Sequence, residues 1–228
     1  MGLSPEKADV VEARIGYAFA NRELLDMALT HASVPKNKYN NERLEFLGDR
    51  VLGLVVAQLL YETYPKEKEG DLAKRLTGLV QQAALVSVAN DLQLGTFVRL
   101  SAGEEKAGGV KKDAIIADAL EALIGAIYLD RGFAHAKTFI TTRWEALLHA
   151  HTAPPEDPKT RLQEWAQQRG LPLPEYRLLG RAGSDHKPVF EIEVHVQGQG
   201  AAVATAASKR AAEKDAAGKM LLKIEGAP

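Results

Sequence analysis

Along residues 1–150, apolar positions recur every three to four residues, and no stretch alternates with a period of two. That spacing predicts helix after helix, over residues 5–16, 22–31, 41–64, 70–90, 111–129 and 134–149. Ser4-Pro5 is a start signal, with serine as N-cap and proline in the first turn. Pro65 ends the long third segment, and a glycine-rich loop follows residue 90. His149-Ala-His-Thr-Ala-Pro-Pro-Glu-Asp-Pro158 has three prolines and no periodicity, and reads as a hinge. Beyond it the pattern changes. Helical residues 160–169 are followed by strand-like runs at 175–180, 189–196 and 201–206, then a helix over 208–223. Phe190-Glu-Ile-Glu-Val-His-Val196 alternates strictly, as a half-buried strand does. The chain therefore divides into a helical domain at 1–150, a linker at 151–157 and an α-β-β-β-α domain at 158–228.

Composition narrows the chemistry. The 228 residues include no cysteine, which excludes disulfides, zinc–thiolate sites and cysteine nucleophiles. The longest apolar run, residues 51–61, is too short to span a bilayer, and the first residues lack a basic-then-apolar leader. No membrane partner and a cytoplasmic location are expected. The net charge of −1 hides an asymmetry: residues 1–157 carry 18 basic and 22 acidic groups, residues 158–228 carry 11 and 8. An acidic body with a basic tail suggests separate tasks.

Two acidic groupings stand out. Glu42, Glu45 and Asp49 lie at i, i+3 and i+7 of the long third segment, on one helix face. Asp118 and Glu121 lie at i and i+3 among Ile115, Ile116, Leu120, Leu123, Ile124 and Ile127. Acidic residues so spaced ordinarily mark a solvated face, and either grouping alone is open to that reading. Carboxylates inside an apolar helix, however, are costly to ionise without a partner. If the two helices face each other, four carboxylates converge into a hard-oxygen site suited to Mg²⁺ or Mn²⁺. Such a site activates water and steadies charge on a phosphate. No glycine-rich phosphate loop, His-Glu-x-x-His pair or nucleophile elbow competes with it, and no small-molecule cofactor is expected.

Asn41-Glu-Arg-Leu-Glu-Phe-Leu-Gly-Asp49 resembles the signature of the ribonuclease III family. Leu29-Thr-His-Ala-Ser33 and Ala117-Asp-Ala-Leu-Glu-Ala-Leu-Ile-Gly-Ala126 resemble two further segments of that family, in the same order. The resemblance implies an all-α endonuclease domain followed by a small α+β double-stranded RNA-binding domain. It makes Glu45, Asp49, Asp118 and Glu121 the metal ligands, with Asp49 and Glu121 the catalytic pair, and Glu42 and Glu69 accessory acids. It implies a two-fold homodimer in which Phe46 enters a socket on the partner; by itself Phe46 also reads as a core aromatic. The implied reaction is hydrolysis of double-stranded RNA by metal-activated water. Its products carry 5′-phosphate and 3′-hydroxyl ends with short 3′ overhangs, and its substrates include ribosomal RNA precursors and structured messages.

In the tail, Thr160-Arg-Leu-Gln-Glu-Trp-Ala-Gln167, Gly183-Ser-Asp-His-Lys-Pro188 and Ser208-Lys-Arg-Ala-Ala-Glu-Lys214 resemble the three RNA-contacting segments of a duplex-binding domain. The resemblance places Gln163, Glu164 and His186 in minor grooves and Lys209, Arg210 and Lys214 at phosphates. Trp165 reads as core. Three departures are visible: Arg50 where many members have a small residue, Ala204-Thr-Ala-Ala207 where glycines are common, and Glu213 where some members have a base. Two other readings compete: a catalytically silent duplex-RNA-binding dimer, and a helical metalloenzyme for a small phosphorylated substrate. The intact carboxylates disfavour the first, and the basic tail disfavours the second.

Overall fold

The computed structural model describes residues 2–35, 39–109, 112–150, 157–184 and 187–226. The chain forms two compact units that meet in sequence between residues 155 and 156.

The first unit is helical: α1 (Pro5–Ile15), α2 (Arg22–Ala28), α3 (Glu42–Thr63), α4 (Glu69–Val80), α5 (Gln82–Asp91), α6 (Ala102–Lys106), α7 (Asp113–Arg131) and α8 (Phe133–Leu148). The Ser4 hydroxyl accepts from the Lys7 amide, Pro5 sits in the first turn, and Gly16 closes α1 at φ 72°. α7 is the central element. Eleven of its residues, from Ile115 to Ile127, are buried, so it is apolar nearly all round, as a helix enclosed by others must be. α3, whose buried residues are Leu44, Gly48, Val51, Leu52, Val55, Val56 and Leu60, makes its most extensive packing with α7.

The crossing of α3 and α7 is unusually close because glycines face each other across it. A Cβ on Gly48 would lie 1.7 Å from the Glu121 carbonyl oxygen, and one on Gly125 would lie 2.3 Å from the Leu44 carbonyl oxygen. Glycine is the one residue that fits there, and it draws together the backbones that carry the two acidic groupings.

The helical periodicity over residues 70–90 conceals a break. Gln81 adopts φ −70°, ψ 157°, so the segment is two helices. Neither glycine nor proline stands at Gln81 itself, and the nearest glycine, Gly78, lies inside α4. Tertiary contacts hold it instead: the Trp144 indole N–H donates to the Leu79 carbonyl at 2.9 Å, which satisfies an end-of-helix acceptor. Arg75, 4% exposed, donates to both Glu67 carboxylate oxygens at 2.8 and 2.7 Å and stacks 3.9 Å over the Tyr64 ring. α2 also stops earlier than its periodicity suggests. Thr30 leaves the helix to bridge Arg99 in parallel fashion, with Arg99 N–H donating to the Leu29 carbonyl at 2.7 Å. The expected glycine-rich loop contains α6, capped by the Ser101 hydroxyl.

The second unit is α9 (Pro158–Gln168), β1 (Glu175–Ser184), β2 (Lys187–Val196), β3 (Gly200–Ala206) and α10 (Lys209–Glu225). Asp157 caps α9, so the unit's structure starts one residue ahead of Pro158. The sheet is antiparallel in the order β1-β2-β3. Ile192, Val194 and Val196 face a core of Leu162, Ala204, Ala212, Ala216, Ala217, Met220 and Leu221. The alanines let α10 lie close against the sheet, and Trp165 packs at the core's margin. β1 runs past the apolar segment seen in sequence to Ser184, through an irregularity between Leu178 and Gly180.

Candidate active site and duplex-binding surface

Glu45 rises from α3 one turn before Gly48, and Glu121 from α7 one turn before Gly125. The close crossing therefore aims both at one spot, and Asp118 joins from the preceding turn of α7. Carboxylate oxygens of Glu45, Asp118 and Glu121 lie within 4.8 Å of one another. Asp49 lies outside this grouping and pairs with Arg50, its Oδ2 3.0 Å from the guanidinium. Three of the four expected carboxylates thus converge, and the fourth stands beside them.

The electrostatics follow from that packing. Burial, then the charges of Asp49, Glu45 and Asp118, push Glu121 up to about 7. Burial also raises Asp118, opposed by the nearby His31, and burial with Asp118, Glu42 and Asp49 raises Glu45. No ion pair to a basic group is found for Glu45, Asp118 or Glu121 among the described residues. A half-buried, all-carboxylate set with no ion-paired base among the described residues fits an oxygen-seeking divalent ion. At Mg–O distances of about 2.1 Å, oxygens on opposite sides of the ion stand about 4 Å apart. Small side-chain rotations would bring the present spacing to that value.

The two expected accessory acids lie outside the converged three. Glu42 is exposed and accepts from the Asn40 side chain at 2.8 Å. Glu69 is exposed at the start of α4. Phe46 is 70% exposed, which excludes the core reading within one protomer. It lines up with Leu54, 59% exposed, and Tyr61, 74% exposed, at eight- and then seven-residue spacing along α3.

Sequence reasoning missed His31 as a neighbour of Asp118 and the glycine pair as its scaffold. The signals were present: His31 lies in a quoted motif, and an isolated glycine inside a helix often marks close packing. The Ser33 amide donates to His31 Nδ1 at 3.1 Å, which leaves the ring proton of the neutral form on Nε2.

On the second unit, Gln163 is half-buried and Glu164 exposed on α9, while Lys209, Arg210 and Lys214 are exposed at the start of α10. His186 lies outside the described residues. Glu213 binds Lys159 at 2.7 Å and lies 4.0 Å from Lys209, and Lys214 lies 3.6 Å from Asp157. Arg210 has no acidic partner among the described residues, which leaves it available to a phosphate. Lys219 and Lys223 instead donate to the Val203 and Gln199 carbonyls, so part of the tail's positive charge is structural.

Comparison with known proteins matches this arrangement. Residues 21–147 fit the model of the Ribonuclease-III-like family, and residues 158–224 that of the double-stranded RNA binding motif. Ribonuclease 3 of Caulobacter vibrioides is 50% identical over 221 residues, covering 95% of each chain. The chain belongs to the ribonuclease III family. Ribonuclease 3 of a Wolbachia from Brugia malayi is 44% identical, covering 98% of this chain and 97% of its own. The nuclease domain of Campylobacter jejuni ribonuclease III was solved in work on flexibility in a region involved in its dimer formation. It is 46% identical with a TM-score of 0.59, covering 63% of this chain and 99% of that one. Ribonuclease III membership makes this protein an endoribonuclease of double-stranded RNA, with a helical nuclease domain and a duplex-binding domain. No described helix is long and apolar enough to cross a membrane.

Proposed function

We propose that this ribonuclease III hydrolyses both strands of an RNA duplex as a homodimer, leaving 5′-phosphate and 3′-hydroxyl ends with short 3′ overhangs. Its substrates are ribosomal RNA precursors and other structured transcripts of the cytoplasm. The observation that carries this reading is the convergence of Glu45, Asp118 and Glu121 from two helices, none of them ion-paired to a basic side chain among the described residues. The residues fit Mg²⁺, with Mn²⁺ as a substitute, held by these three and Asp49. The bound ion would supply an activated water and neutralise charge developing on the phosphate. The protein's own part is to position and to manage charge. Burial keeps the carboxylates short of water, so the like charges are tolerated chiefly when a cation is present. Asp49 and Glu121 form the catalytic pair, and Glu42 and Glu69 are accessory acids.

End-labelled duplex RNA incubated with Mg²⁺ should yield staggered products with 5′-phosphate and 3′-hydroxyl termini. Blunt products or 3′-phosphates would contradict this chemistry, and tight binding without any cleavage would favour a silent duplex-binding dimer.

The dimer is supported by the α3 stripe, because three large exposed apolar side chains on one helix face call for a cover. Phe46→Ala should weaken dimerisation about 10³-fold or more, since burying a phenylalanine contributes roughly 2–3 kcal/mol and the two-fold axis counts it twice. Sedimentation equilibrium reads this, and an unchanged dimer constant would refute the assignment of the face.

Duplex binding is proposed through Gln163, Glu164 and His186 at minor grooves and Lys209, Arg210 and Lys214 at phosphates, an arrangement suited to A-form shape. Arg210→Ala should weaken binding about equally for unrelated duplex sequences and lower the slope of log affinity against log salt by about one. A sequence-selective loss, measured by gel shift in Ca²⁺, would count against a phosphate contact.

A further inference from the structure

Among the described residues, Arg50 is the one basic side chain found paired with an acid of the active site. Its Nη2 lies 3.0 Å from Asp49 Oδ2, and its side chain is 73% exposed. Asp49 is the acid that stands apart from the converged three. The positive charge of Arg50 also opposes the upward push on Glu121, so it sits within electrostatic reach of the cluster itself. The pairing is therefore placed to compete with a cation for Asp49.

We propose that Arg50 is an exchangeable counter-cation: it holds Asp49 aside while the metal site is empty and passes to an RNA phosphate when Asp49 turns to the metal. This rests on Asp49 being one of the proposed ligands. The chemistry is a partner exchange in which no covalent bond changes. A guanidinium at an exposed site gives up a carboxylate at small cost, because water and salt screen the pair. It is equally suited to a phosphate, whose oxygens match its fork of donors. The exchange makes metal and RNA mutually supportive: each removes one of the two partners from the resting pair, so binding of either eases binding of the other.

The proposal predicts opposite signs for two measurements on one variant, which a loss of structure would not produce. Arg50→Ala and Arg50→Gln should each bind Mn²⁺ about 2- to 5-fold more tightly in the absence of RNA, by titration calorimetry on the full-length protein. That is the range of an exposed ion pair removed as a competitor. The same variants should bind a short RNA duplex in Ca²⁺ about 3- to 10-fold more weakly, with a salt slope shallower by about one. Asp49→Asn measured alongside separates the two claims. If it leaves Mn²⁺ affinity intact, Asp49 is not a ligand and the underlying site assignment fails. If it weakens Mn²⁺ binding while the Arg50 variants bind Mn²⁺ no more tightly than the native chain, or bind RNA unchanged, the exchange is overturned and the site assignment stands. Dissociation of the Arg50 variants into monomers would also overturn it, because Arg50 shares the α3 face with Phe46 and Leu54, each four residues away.

Discussion

Gly48→Ala should lose both stability and cleavage, although it adds one methyl group to a helix that would otherwise welcome it. The added carbon would meet the Glu121 carbonyl oxygen at 1.7 Å and the Gly125 amide nitrogen at 2.9 Å. Both are backbone atoms in the middle of a buried helix, so neither can swing aside. α3 and α7 must separate by more than an ångström, which opens the core beside Leu44, Leu120 and Ile124. Overpacking of this kind costs about 3 kcal/mol or more. It also spreads Glu45 away from Glu121, so activity should fall even in protein that remains folded. Gly218→Ala is the control. Its Cβ would find only the Pro158 Cβ at 4.0 Å, and it lies within α10. There the same change should stabilise the second unit by about 0.5–1 kcal/mol, through helix propensity. Urea unfolding of both variants reads the contrast. A neutral Gly48→Ala with native cleavage would mean that the close crossing does not position the site.

Glu121→Gln should abolish cleavage and, in metal-free protein, raise stability. The side chain keeps its shape and loses its charge. Cleavage should fall at least about 10³-fold, as expected when a group acting on the reacting phosphate is removed, while duplex binding persists. The stability gain follows from proton linkage. Glu121 ionises near 4.5 in the unfolded chain and at about 7 in the fold. Between those values the folded state holds a proton that the unfolded state has lost, so stability falls as pH rises through that window and stays reduced above it. Glutamine removes the penalty. At pH 8 the variant should be about 1 kcal/mol more stable, allowing for solvent screening at a half-buried group, or about 2–4 °C in melting temperature. Near pH 4.5 and below, the gain should vanish. The same linkage makes metal binding release protons below pH 7, so metal affinity should rise with pH up to that point. A variant that is less stable than native at pH 8 without metal would refute the claim of electrostatic frustration at Glu121.

Most of the site was legible in the sequence because its chemistry is local. The spacing of Glu42, Glu45 and Asp49, and of Asp118 and Glu121, is fixed by helix geometry, and the signature around them is specific. The pairing of the two helices was legible only as a condition, since it rests on Gly48 and Gly125 meeting across the chain. The sequence marks Arg50 as able to pair with a nearby acid, but shows neither that its partner is Asp49 nor that Asp49 lies outside the other three. The same limit applies to the fold. Caps at Ser4 and Ser208 announce helix starts in the residues themselves, whereas Asp157 caps α9 from within the stretch that reads as linker. The break at Gln81 is held by Trp144, 63 residues downstream, and the early end of α2 by Arg99, and no local pattern encodes either. Phe46 shows a third case. Its apolar character suits a core, and only the fold shows it facing outward.

Carboxylates from α3 and α7 together are proposed to hold the ion that cuts the duplex. The most direct test is Mn²⁺ binding to the full-length protein at pH 8, followed by the loss of the free-ion electron paramagnetic resonance signal. The native chain would be compared with Glu45→Gln, Asp118→Asn and Glu121→Gln. We predict saturable binding by the native chain, weakened at least about 10-fold in each variant by removal of one charged ligand. Native-like binding in variants from either helix would show that the ion is held elsewhere, and the account of this site would fail.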